Sequence, residues 1–213
     1  MSGLLLKDML NLKKSMIFIL AIAVLWGVGG SGEYVGLFAP LAVVYFSYAV
    51  TSSAASTDEN CGWNKLETAF PLSRRRLVAE RYLLGVISLA AGAVVLIVVR
   101  LAMSALFGTK SDMLGMTLPA VLFGVSSGLI LNAVMLPLQM KFGYVKSRLV
   151  SVLIFGAVTG ISAALVSAAD SGDTATDASS LPLGTLFFVL LVCAAVDFVS
   201  YLAAVKIYEK REL

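Results

Sequence analysis

The stretch STDENCGWNKLETAFPLSRRRLVAER, from Ser56 to Arg81, decides how the chain reads. It is polar, and it separates two long apolar runs, at about 35–54 and 77–107. Runs near 20 apolar residues match a hydrocarbon core about 30 Å thick. The polar segment is therefore a loop between two membrane spans. Within it, Asn60 to Ala69 has the pattern of a short helix. Trp63, Leu66 and Phe70 fall at i, i+3 and i+7 and make one apolar stripe, with Asn64 and Glu67 beside it. Pro71 ends that helix, because the residue before a proline avoids the helical region. Ser73 then suits the N-cap of the next helix, and Arg74, Arg75 and Arg76 fall at headgroup level. Two readings fit these residues. One is an interfacial loop whose Trp anchors it and whose basic residues fix topology. The other is a short helix parallel to the membrane that docks on a soluble partner.

Working outward, the whole chain is membrane-like. Of its 213 residues 59% are hydrophobic and 14% charged, against roughly 25% charged in soluble domains. Further apolar runs occur at 16–30, 116–138, 149–168 and 183–205. The residues before the first run, Ser2 to Lys14, repeat Leu5, Met9, Leu12 and Met16 at helical spacing, with Lys7, Asn11 and Lys14 on another face. This predicts an interfacial amphipathic helix. A signal peptide is the alternative, but the apolar run that follows lacks a convincing small-residue cleavage site, which favours an uncleaved anchor.

The charges sort by loop. Lys7, Lys13 and Lys14 precede the first run. Lys65, Arg74, Arg75, Arg76 and Arg81 lie between the second and third, and Lys141, Lys146 and Arg148 between the fourth and fifth. Lys206, Lys210 and Arg211 follow the sixth. The three alternate loops together hold only Lys110, and the last of them carries Asp170, Asp173 and Asp177. By the positive-inside rule the expected fold is an all-α integral membrane protein of six transmembrane helices, a single transmembrane domain over 1–213 with both termini cytoplasmic. The loop at 56–76 is then cytoplasmic. The net charge of +3 reads as topology, not as a nucleic-acid surface.

There is no histidine, which removes the commonest general base and metal ligand. Cys61 and Cys193 are far apart in sequence, and neither a disulfide nor a metal site is expected. Gly108-Thr-Lys110-Ser111 breaks the phosphate-loop rule that glycine directly precedes lysine, so energy for any transport must come from elsewhere. Asp197 is the one deeply placed carboxylate, so no paired-aspartate enzyme mechanism can be assembled.

Three polar residues lie inside the runs. Asp197 stands nine residues before Lys206, roughly 13 Å by helical rise. Arg100 follows Arg81 by 19 residues, which puts it toward the outer edge. Their depths read as one to two turns apart, which leaves a direct ion pair open. Asn132 suits a helix–helix hydrogen bond. Gly124–Gly128 and Gly156–Gly160 both match GxxxG, with packing inside one subunit as the default.

The order of features resembles the membrane subunit of an ABC-2-type exporter, in particular the small six-span bacterial permeases. The similarity rests on Gly3-Leu-Leu with Lys7-Asp8, on Glu67-Thr with Pro71-Leu-Ser73-Arg74, Val78 and Arg81-Tyr82, and on Phe142-Gly143 with Lys146 and Arg148. The end, Tyr208 with Lys210 and Leu213, is similar too. The resemblance implies a permease of the bacterial plasma membrane with no cofactor of its own. ATP and Mg would be bound by a separate ABC ATPase subunit, and a second permease copy or a paralogue would complete a dimer. It implies that the loop between the second and third spans couples the two proteins, with Trp63, Asn64, Glu67 and Pro71 as contacts. Arg74, Arg75, Arg76, Lys146 and Arg148 are then headgroup or partner contacts, and the cargo is an amphipathic or antimicrobial peptide. Larger relatives carry a sizeable re-entrant element between the last two spans, where this chain has a short acidic loop. An ion-coupled carrier that uses Asp197 and Arg100 is the competing function.

Overall fold

The computed structural model describes residues 15–26, 28, 35–62, 73–107, 113–144, 146–150, 152–157, 160 and 183–209. They are helical apart from tight turns. Helix α1 is Ser15–Trp26. Helices α2 (Val35–Asn60), α3 (Arg74–Phe107), α4 (Met113–Phe142) and α5 (Leu183–Glu209) follow. These last four are long and apolar enough to cross a bilayer, whereas α1 is a shorter apolar helix. Residues 146–150 and 152–157 are helical as well. The expected N-terminal amphipathic helix and most of the run at 149–168 lie outside the described residues.

The long helices outrun the apolar runs that predict them. The apolar run before the polar segment stops at about Ala54, yet α2 continues to Asn60. The extra turns hold because helical hydrogen bonds do not depend on apolar side chains, and Thr57 also donates its hydroxyl to the Ser53 carbonyl at 2.8 Å. Gly62 then takes a left-handed conformation (φ 66°), the usual helix stop. The amide of Cys61 donates to the Thr57 carbonyl at 2.9 Å and that of Gly62 to the Glu59 carbonyl at 3.2 Å. Residues 60–62 thus close α2 and do not open the short helix that was expected from Asn60. On the far side of the loop, the Ser73 carbonyl accepts from the amides of Arg76 and Leu77. Ser73 therefore stands at the N-cap of α3, as the sequence predicts.

Helix α4 packs on α2, α3 and α5, and α3 also meets α2 and α5. The GxxxG pair in α4 explains the closeness. A Cβ on Gly124 would lie 3.0 Å from the Pro40 backbone in α2, and one on Gly128 would lie 2.2 Å from a Leu89 methyl in α3. These glycines therefore seat α2 and α3 of the same chain, which is the default read from the sequence. Pro40, Pro119 and Pro137 sit inside these helices, as membrane helices tolerate. Val43, Leu89, Leu96 and Leu129 fill the centre. Helix α1 lies on α2, with Ile19 and Ala23 buried against Phe46 and Val50 and Trp26 stacked on Tyr45 at 5.8 Å.

The outer surface is apolar. Phe187, Phe188, Leu191 and Phe198 of α5 are exposed, as are Val86, Val94 and Val98 of α3. Lipid is the solvent that suits such faces.

Candidate coupling junction at the basic end of the bundle

One end of the bundle gathers the last turns of α2, α4 and α5 and the first turns of α3. Arg75, Arg76, Lys146 and Arg148 are exposed there, and Lys141 and Lys206 stand in the last turns of α4 and α5. Arg74 opens α3. Among the described residues, basic side chains from the connections after α2 and α4 and from the end of α5 therefore meet in space.

The junction is built on an ion pair. Arg81, on the second turn of α3, pairs with Asp58, near the end of α2. Asp58 is buried and the Arg81 side chain is 17% exposed. The pair bridges the two helices that flank the polar loop, so the loop leaves from Gly62 and returns at Ser73 over a clamped base. Removing one member of a buried pair strands the other charge, which is why such a clamp is stiff. In the sequence Arg81 serves as a topology marker, as the reference for the depth of Arg100 and as part of the family resemblance, and nothing singles out Asp58 as its partner. The one signal was an acidic residue just past an apolar run and facing a basic loop, and 23 residues separate it from its partner.

The second basic connection joins the same structure. Gly143, left-handed at φ 79°, ends α4 with its amide donating to the Gln139 carbonyl at 2.9 Å. Its own carbonyl accepts from the Ser147 amide at 3.1 Å, so helix restarts at once. A Cβ at Gly143 would lie 3.7 Å from a Glu59 carboxylate oxygen. The next residue, Tyr144, shares a 3.0 Å hydrogen bond with Ser52 of α2. Both connections are thus fastened to the end of α2. A cavity of about 80 Å³ opens among them, lined by Asp58, Glu59, Arg81, Gln139, Tyr144 and Tyr208 and floored by Leu84 and Leu136.

Deeper in, each long helix contributes to a polar layer. Ser47 of α2 and Ser88 of α3 share a 2.9 Å hydrogen bond, and Ser88 donates to the Gly85 carbonyl at 2.7 Å. Asn132 of α4 packs on Gly85, where an added Cβ would lie 2.9 Å from its amide nitrogen. The sequence suggests a helix–helix hydrogen bond for Asn132, whereas its Nδ2 has no hydrogen-bond partner and the contact with α3 is one of packing. Tyr82 of α3 and Ser200 of α5 share a 2.9 Å hydrogen bond, and Ser200 donates to the Ala133 carbonyl of α4. Asp197 lies one turn along α5 from Ser200 and is buried.

The Tyr82–Ser200 bond fixes the antiparallel register of α3 and α5, and it places Asp197 level with about Gly85. Arg100, also buried, is about fifteen residues farther out on α3, roughly 22 Å at the rise of an α-helix. A direct pair between them is therefore excluded by register. Depths counted from Lys206 on one helix and from Arg81 on the other take those two residues as level, whereas the Tyr82–Ser200 bond puts Lys206 level with about Arg76. Cys61 is exposed beyond the end of α2 and Cys193 is buried in α5. Trp63, Asn64, Glu67 and Pro71 lie outside the described residues.

A family described as ABC-2 family transporter protein matches residues 3–209. The chain belongs to the ABC-2 transporter family. No curated protein and no solved structure matches it. An ABC-2 chain is the membrane component of a transporter whose ATPase is a separate partner. The two connections fastened to α2 lie within the matched region.

Proposed function

We propose that this ABC-2 chain is the transmembrane permease subunit of an ATP-driven exporter in the bacterial plasma membrane. Six spans with both termini cytoplasmic put the basic end inside the cell. Two copies, or this chain and a paralogue, form the path. An ATPase docks on the loop between the second and third spans through Trp63, Asn64, Glu67 and Pro71. When ATP closes the ATPase pair, the loop pulls on the joined ends of α2 and α3, and the spans rock to open outward. Amphipathic or antimicrobial peptides are the cargo class.

The Asp58–Arg81 pair carries this reading, because a force on the loop would reach two helix ends that are joined to each other. The ion-coupled alternative loses its shared site, since about 22 Å separates Asp197 from Arg100 along the helix register. The test is co-purification with a cassette ATPase encoded beside the gene. Trp63→Ala and Glu67→Ala should each reduce association and the stimulation of ATP hydrolysis. Full association and stimulation in both variants would rule the loop out as the dock.

A further inference from the structure

Two atoms of the polar layer lack any hydrogen-bond partner. They are Oδ1 of Asp197 and Nδ2 of Asn132, on residues only 8% and 3% exposed. Both belong to helices that pack on one another, α5 and α4. The Ser200–Ala133 bond sets the register of that pair. Asp197 is level with about Ile130, two residues or roughly 3 Å in depth from Asn132. One orphan is an acceptor on a carboxyl group and the other is a neutral donor. Apolar surroundings make both expensive to leave unmet.

We propose that Asp197 and Asn132 form an intramembrane binding site for a primary ammonium carried beside a carbonyl oxygen, the chemistry of a free α-amino group on an amide. The ammonium donates to Asp197 Oδ1 and neutralises the carboxylate. The carbonyl accepts from Asn132 Nδ2. An alkylammonium alone, or a bare metal ion, leaves the amide donor orphaned. A hydroxyl compound leaves the charge uncompensated. Arg100 is too far away to serve as the counter-ion. The Tyr82 and Ser200 hydroxyls are already joined to each other, and the lack of a side chain at Gly85 is what leaves room for the Asn132 amide against α3. The approach is from the cavity at the basic end. Its lining residues Leu84 and Leu136 neighbour Gly85 and Asn132 along their helices, by one residue and by one helical turn.

As a cargo site this rests on the permease reading, but the binding itself needs no ATPase. The test uses the full chain alone in lipid nanodiscs. Leucine octylamide, with its free amine, is titrated against N-acetyl-leucine octylamide, and partitioning into empty nanodiscs is subtracted. Saturable binding of the free amine, at least ten-fold tighter than the acetylated probe, is expected. Asp197→Asn should weaken the free amine at least ten-fold, and Asn132→Ala should weaken it about five-fold, the size of one hydrogen bond. Equal binding of the two probes, no saturable binding above empty discs, or native affinity in Asp197→Asn would each overturn the proposal. The probe comparison uses the native chain, so it stands even where a variant misfolds. The ATPase co-purification reads the permease assignment separately, so either result can fail without the other.

Discussion

Asp58 and Arg81 are worth more as a pair than either is alone, and this can be measured. Asp58→Asn leaves a guanidinium with little water beside it and should destabilise the protein by about 3 kcal/mol, the low end for a broken buried pair. Removing both charges, in Asp58→Asn with Arg81→Gln, should cost less than the sum of the two single losses, because the two side chains share one interaction. Thermal unfolding in detergent compares the native chain, each single variant and the double variant, and additive losses would refute the clamp. Gly143 offers a second residue-scale test. Its φ of 79° disfavours any Cβ, while the nearest atom to such a Cβ is 3.7 Å away. The penalty is therefore conformational, not steric. Gly143→Ala should cost about 1 kcal/mol, and Gly143→Asn less, since asparagine tolerates the left-handed region. The reverse order by the same assay would mean that crowding, not conformation, sets the requirement.

Between elements, the contact of α4 with α3 turns on Gly128 and Leu89. A methyl at Gly128 would sit 2.2 Å from a Leu89 methyl, so Gly128→Ala should lose about 1–3 kcal/mol to overpacking. Leu89→Ala alone should lose about 2–5 kcal/mol to a cavity. The double variant trades volume for volume and should melt above the sum of the two losses; strict additivity would show that the side chains do not share that space. This pair also marks what a sequence can disclose. GxxxG announces that some helix comes close, and the apolar runs announce helices, because both signals are local. Helix ends are less legible, since α2 runs past Ala54 to Asn60 on backbone bonds that hydropathy does not record. The partners Asp58 with Arg81, and Tyr82 with Ser200, are set by how distant helices slide against each other. No spacing within one helix encodes that, and for the same reason the depth of Asp197 relative to Arg100 was misjudged before the register was known. The docking role proposed for residues 63–71 rests on family resemblance, and these residues lie outside those the structure describes.

At the scale of the molecule, the sorting of charge makes a directional prediction. Cys61 is exposed just past α2, and Cys193 is buried in α5. An impermeant maleimide should label Cys61 in inside-out vesicles and leave it untouched in whole cells, with Cys193→Ser confirming the site. Labelling in whole cells would invert the topology. The joint at Gly143 has a further consequence for how this chain can vary in length. Helix stops and restarts there with no spacer, and Tyr144 reaches Ser52 from the first position beyond it. One residue inserted after Gly143 would swing everything that follows by about 100°, carrying the tyrosine off α2 and turning the downstream segment toward different neighbours. Insertions and deletions should therefore be rejected at this corner, and a natural chain of this kind can grow or shrink only elsewhere.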